Sequence, residues 1–579
     1  MADGIEDDTI PSSHNSLEDW PLRPWILAAI GALAGLGVYE LLDGFTAEPW
    51  RAALAALLFF GAAAAGFVLR PQNLTGTAAF ALGVGAVMAG IAYLAVNAGD
   101  SRAGEEFAFA AGVFFSILAI PLFQADFHRK RWATPYAETH FHVWTDAVSA
   151  GGAFLFMGLS WALLWLLHEL FSLIGIEVIE ELIDTGWFGA MFAGATFGAA
   201  LGVLRNQLGI IGTLQRVVML VFALLAVPFA LAILIFLVIL IFSGGGALWQ
   251  ATDSATPLLL TCAVGCFILT NAVVRDDDEH RSGSVVMQAA ALVLAVCILP
   301  LTVFAAISMG IRIDQYGLAP ERIWALIAII ISTAYGLAYW AGLARGRLAA
   351  WSDYLRRANL QLAVVTCGIA LFLALPVLDF GGISAKNQIA RLEAGKLALE
   401  EFDFTALRWD FGDAGREALT EMSAGEGEQA ELAAEALAQE ERPGYWEQER
   451  REQNFALRVQ GDDEDVRAFV LEKLVEEPWA CRETCLALEI GRNDSGQRMI
   501  ALVHRDVFYV YTMEDASAPA SDVDVLDESP ARAFLREDSV VEVQTRPQRY
   551  LVIDGVPMNN HLPDDDGNTD VAIEIPSSE

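Results

Sequence analysis

The side chains able to do chemistry are few and far apart. His168 and Glu169 sit in "WLLHELF", late in a long apolar stretch. Charge is costly in lipid, so an ionisable pair at that depth reads by default as part of a proton or ion pathway. A zinc protease needs a second His four residues after the first. Position 172 is Ser, so that motif is absent. Glu177, Glu180, Glu181 and Asp184 follow in "GIEVIEELIDTGW". Ile176, Ile179, Ile183 and Trp187 repeat there at helical spacing with the acids opposite, which predicts an amphipathic surface helix and, as its functional reading, cation binding.

The stretch "IDQYGLAPERIW" supplies Asp314, Tyr316, Gly317 and Arg322 between two apolar blocks. Pro320 suits the first position of a helix, where its missing N–H costs nothing. Glu321 matches the positive end of the helix dipole and Arg322 opposes it. Arg322 is therefore expected to have a partner, either Asp314 or a lipid headgroup. Gly317 allows the turn after Tyr316. His128 opens the basic "HRKR" run, and His140 and His142 follow it. An H-x-H pair aligns on a strand but splays on a helix, and no acid or Cys supports it, so no metal is expected. Cys481 and Cys485 in "PWACRETC" are a candidate disulfide that needs a local turn, because regular helical spacing gives poor bridge geometry. Cys262, Cys266, Cys297 and Cys367 lie in apolar blocks as small apolar residues. There is no phosphate loop, nucleophile elbow or dinucleotide fingerprint. No cofactor and no catalytic residue is expected.

The elements that must position these residues are membrane spans. The chain has 579 residues, 55% of them hydrophobic. The apolar residues gather in blocks of the length that crosses a bilayer core. Eleven spans are expected, near 24–42, 50–69, 77–97, 106–123, 147–174, 186–204, 214–243, 255–274, 287–310, 322–344 and 358–378. With the N-terminus inside, the inner loops carry twelve basic residues, including Arg70, Arg129, Lys130, Arg131, Arg275 and Arg356. The outer loops carry four: Arg51, Arg102, Arg312 and Arg322. That asymmetry puts the N-terminus in the cytoplasm and the C-terminus outside. Gly31 and Gly35, and then Gly194, Gly198 and Gly202, fall at four-residue spacing and predict close helix contacts.

Three other regions follow. Residues 1–23 read as a disordered acidic tail, with no basic residue before Arg23 and none of the features of a cleaved signal peptide. Residues 379–442 are rich in Ala, Leu and Glu and read as a helical stalk. Residues 443–579 read as a small soluble α+β domain with a frayed end. The stretch "MIALVHRDVFYVYTM" is expected as two strands, and "YLVIDGVPM" as a tight hairpin. From 379 onward the chain holds about 45 acidic against about 19 basic side chains. This balance argues against nucleic acid as a partner.

"QYGLAPERIWAL" resembles a Tyr-Gly-hydrophobic-Thr-x-x-Arg segment of a bacterial membrane family known as domain of unknown function 4153. "WALLWLLHELFSLIGIEVIEEL", "FSGGGALWQATDSATPLLLTCAVGCFILTNAVV" and "FDFTALRWDFGDAGREAL" also resemble that family, in the same order along the chain. The resemblance covers roughly residues 20–420. It departs at Ala319, where the family pattern has Thr. It implies architecture and a bacterial membrane, and attaches no activity.

The expected object is an all-α polytopic bundle of the bacterial inner membrane followed by an acidic extracytoplasmic α+β domain. The lipid bilayer is its first partner, and an envelope protein is a candidate second. The oligomeric state is not encoded legibly. The leading functional expectation is a non-enzymatic role in envelope sensing, scaffolding or assembly. A secondary transporter or proton-coupled permease is the alternative, and a membrane enzyme acting on lipid or glycan is the third.

Overall fold

A computed structural model describes residues 20–42, 48–243, 255–278, 281–442, 456–461, 463–477, 480–481, 484–492, 497–504, 507–513, 549–553 and 556–562. The expected N-terminal tail, the expected turns at 505–506 and 554–555 and the expected frayed end lie outside the described residues. Eleven helices are long and apolar enough to cross a membrane. They are α1 (Arg23–Leu42), α2 (Pro49–Val68), α3 (Leu74–Ala98), α4 (Glu105–Gln124) and α5 (Tyr136–Ser172), then, after the short α6 (Val178–Asp184), α7 (Gly186–Asn206), α8 (Leu208–Phe242), α9 (Thr256–Val274), α10 (Val285–Tyr316), α11 (Pro320–Arg347) and α12 (Ala350–Ala374). The protein is a polytopic helical membrane bundle.

Helix starts follow local chemistry. Pro49 and Pro320 occupy first-turn positions. Asn73 accepts a hydrogen bond from the Gly76 amide and caps α3. Two differences from the sequence expectation concern length. Helix α5 begins at Tyr136, a full three turns before the expected span, and carries His140 and His142 into the helix. The expected loop between the last two spans is instead a bend at Arg347 and Ala350, where the backbone leaves helical geometry and α12 begins at once. Trp351 and Leu355, fully buried, hold this bend into the core.

One lobe is built on α1, α2, α3 and α7. Helices α1 and α7 meet backbone to backbone: a Cβ added at Gly31 would land on the Gly194 carbonyl, and one at Gly198 on the Leu27 carbonyl. Lipid supplies no hydrophobic drive for helix pairing, so this close approach provides the packing. The second lobe, α8 to α12, has the largest apolar core, including Leu259, Leu294, Ile298 and Leu301. Helix α4 joins the lobes by packing Leu122 beside Leu360 and Cys367 of α12.

The helix ends alternate as an up-and-down bundle requires. At one end Arg23 donates to the Arg205 carbonyl at 2.9 Å, and Arg205 to the Gly66 carbonyl at 2.6 Å. Arg356 donates to the Val274 carbonyl there at 2.9 Å. At the other end lie the Gly99–Arg102 turn, the Gly317 turn and the start of the polar C-terminal region. Residues beyond α12 fold as α13 (Phe380–Glu393), α14 (Phe404–Trp409), α15 (Gly412–Ser423) and α16 (Glu428–Leu437). Phe402, Phe404, Leu407, Phe411 and Leu419 form their shared core. These four helices cap that end of the bundle.

The chain divides into two compact units, at Gln439 and Glu440. The second unit has strands β1 (Ala456–Val459), β2 (Thr484–Arg492), β3 (Arg498–His504) and β4 (Val507–Thr512) in sheet order β1-β2-β3-β4, with α17 (Glu464–Glu476) between β1 and β2. Strands β1 and β2 run parallel, as a helical crossover requires. Strands β2 to β4 form an antiparallel meander. A hairpin, β5 (Arg549–Ile553) and β6 (Val556–Leu562), follows. Cys481 and Cys485 form a disulfide inside the core of this unit, beside Val470 and Ile500.

Candidate functional site

The most elaborate polar construction at the capped end surrounds the loop between α10 and α11. Helix α10 ends at Tyr316, and Gly317 takes φ +73°, a left-handed turn that disfavours any side chain. A helix C-terminus leaves four carbonyls without helical partners. Here each has one. The Gly317 amide donates to the Ile313 carbonyl at 2.9 Å. Arg391 of α13 donates to the Ile313, Asp314 and Gln315 carbonyls at 3.3, 2.8 and 2.9 Å. Gln388 donates to the Tyr316 and Leu318 carbonyls at 2.8 and 2.9 Å, and Asn387 accepts from the Leu318 amide at 2.9 Å. The guanidinium of Arg391 also suits the negative end of the helix dipole.

Arg322 joins the same construction. It donates to the Gly317 and Tyr316 carbonyls at 2.7 and 3.1 Å and lies 5.6 Å from the centre of the Tyr316 ring. Among the described residues Arg322 makes no ion pair with Asp314 and instead finds backbone acceptors and an aromatic face. The nearby carbonyls need donors whatever the headgroups do, and Arg322 reaches them within its own loop. The carboxylate of Asp314 remains exposed.

Beside this loop is a cavity of about 450 Å³. Its lining includes the apolar Leu94, Ala108 and Phe372 and the charged Arg102, Glu105, Asp379 and Asp413. Arg102 and Glu105 stand 3.9 Å apart. Trp324 forms one wall, stacked on Phe107 at 5.9 Å and edge-on to Phe380 at 5.2 Å. Asp379 caps α13 through the Gly382 amide at 2.8 Å. Asp413 pairs with Arg416, which also donates to the Asp100 carbonyl at 3.0 Å.

The comparison with known families decides what this end belongs to. Residues 52–422 match the family model described as domain of unknown function (DUF4153), more than half of the chain. The chain belongs to that family. No curated protein and no solved structure matches it. The DUF4153 match runs from α2 into α15, so it takes in the loop, the cavity and most of the cap, and it stops before the sheet unit. The stretch "FDFTALRWDFGDAGREAL" on which the resemblance rested supplies Phe402, Phe404, Leu407 and Phe411 to the cap core.

The other residues singled out from sequence are not brought together. His168 packs edge-on against Trp165 at 5.5 Å, and Glu169 is exposed. Glu177, Glu180, Glu181 and Asp184 are all exposed on or beside α6. Among the described residues, no side-chain hydrogen bond or ion pair links these acids to the Tyr316–Arg322 loop. Nor do any three His, Cys, Asp or Glu side chains among the described residues gather as a metal site.

Sequence reasoning missed a buried polar network within the DUF4153 region at the opposite end. Asn271 of α9 donates to the Tyr339 hydroxyl of α11 at 2.8 Å. Asn359 of α12 donates to the Asn271 side-chain oxygen at 2.7 Å, and the Tyr339 hydroxyl donates to Asn359 at 3.0 Å. Tyr136 of α5 approaches both asparagines at 3.4 Å. Arg356 closes the network toward water, pairing with Asp278 and Asp353 at 2.9 Å each. Burial opposes ionisation of Asp278, but the Arg356 guanidinium and the Ser352 hydroxyl outweigh it and hold the carboxyl below its usual range. The available signal was an asparagine inside an apolar span, where polar residues are rare.

Proposed function

We propose that the protein serves the bacterial cell envelope through its capped end, in a non-enzymatic sensing or assembly role. The proposed orientation is N-terminus in the cytoplasm and cap and sheet unit outside the inner membrane. The observation that carries the reading is the grip of α13 on the end of α10. Gln388 and Arg391 hold five backbone carbonyls of a membrane hairpin, and the chain that carries them continues into the sheet unit. A load or ligand on the cap is thereby coupled to two membrane helices. The distribution of basic loops supports the orientation, as does a disulfide, which persists in oxidising compartments.

A transporter draws on the Asn271–Tyr339–Asn359 network. Those side chains satisfy one another, which suits a lock between helices better than a path that must exchange ligands. A chain ending at Gln439 tests the reading. It is expected to insert and fold yet fail to restore the envelope integrity of cells lacking the protein, measured as detergent resistance. Full restoration by the shortened chain would contradict a role through the outer unit.

A further inference from the structure

The cavity beside Trp324 has the chemistry of a lipid headgroup site. It opens where the α3–α4 turn and the residues after α12 meet, at the level of the helix ends. Leu375, Val377 and Leu378 lie there in a non-helical bend and stay 40%, 56% and 44% exposed. Apolar side chains so placed suit acyl chains and not water. The lining holds three carboxylates, those of Glu105, Asp379 and Asp413, and the guanidinium of Arg102. Asp413 is neutralised by Arg416, and Asp379 commits one oxygen to its helix cap. Among the described residues, the ion pair of Glu105 is with Arg102 at 3.9 Å. Arg102 and Glu105 offer one charge of each sign at the cavity, which matches a head that carries both charges itself.

We propose that this cavity binds a zwitterionic aminophospholipid. Its phosphate lies against Arg102, its primary ammonium against Glu105 and Asp379, and its first chain carbons over Phe372 and the Leu375–Leu378 bend. The surplus of carboxylates selects against an anionic head with no amine. The inference is independent of which side of the membrane the cap occupies, because the cavity lies at the ends of spanning helices in either orientation.

The test uses the full chain, purified and stripped of lipid in detergent, with native mass spectrometry as readout. The probes are lysophosphatidylethanolamine and lysophosphatidylglycerol of equal chain length. The expected result is retention of the amine probe roughly tenfold tighter than the glycerol probe, which is one decade in dissociation constant. Glu105→Gln and Asp379→Asn are expected to erase that preference; Asn keeps the helix cap while removing the charge. Ala108→Phe, which puts a bulky ring among the lining residues, is expected to abolish retention of both probes. Equal retention of the two probes by the native chain, or an amine preference unchanged in Glu105→Gln, overturns the proposal. So does failure of the native chain to hold either probe.

Discussion

Gly317 and Arg391 show how much one position carries at the residue scale. A Cβ on Gly317 would stand 2.7 Å from the Gln388 amide nitrogen and 2.9 Å from the Arg391 Cδ, on a backbone with φ +73°. Gly317→Ala therefore combines left-handed strain with a collision, and a loss of about 1–2 kcal/mol is expected. Thermal unfolding of the purified protein measures it. The buried network predicts a loss of another kind. Asn271→Ala leaves the Tyr339 hydroxyl and the Asn359 amide short of partners, at a cost of about 1–3 kcal/mol. In the second unit, Asp463 caps α17 and pairs with Arg498. That hydrogen bond, followed by the Val466 amide, holds the Asp463 carboxyl below its usual range. A depressed folded pKa means stabilisation present above the ordinary Asp value and lost as pH falls through the folded one. Acid titration of unfolding should show this loss below about pH 4, and Asp463→Asn should remove that part of the pH dependence while keeping the cap.

Element by element, what was legible followed from simple rules. Eleven spans could be read because bilayer thickness sets their length and composition. That α1 and α7 each make a close helix contact was visible in glycines at four-residue spacing, though not that they pair with each other, and the β3–β4 pair was visible in alternating side chains. The grip of α13 on α10 was not. Gln388 and Arg391 look like ordinary solvated residues of a polar helix, and their acceptors are backbone carbonyls seventy or more positions away. Backbone groups carry no sequence signature, so a cap made by side chains on carbonyls is invisible until the chain is folded. Asp314 as the partner of Arg322 was misjudged for the same reason, since a carboxylate was sought and carbonyls were found. Tyr136, Asn271, Tyr339 and Asn359 lie on four helices, each unremarkable in its own span. A prediction belongs at this scale too. Gly194→Ile should push α7 off α1 and abolish the monodisperse folded protein in size-exclusion chromatography. Gly90→Ala, on α3 with open space around it, should leave the protein intact.

The whole molecule places two constructions at opposite ends of the bundle. At one end a polar lock joins α5, α9, α11 and α12. At the other a four-helix cap grips the α10–α11 hairpin and leads into an independent sheet unit. The central claim is that the capped end faces outward, away from the cytoplasm. Cys481 and Cys485 are both fully buried and make poor probes, so single cysteines at exposed positions are better. The decisive measurement is labelling of Glu428→Cys, on the cap, and Arg129→Cys, at the opposite end, with a membrane-impermeant thiol reagent. In intact spheroplasts the account predicts labelling of Glu428→Cys, with Arg129→Cys reacting only after lysis. The reverse pattern would put the cap in the cytoplasm and contradict the envelope role.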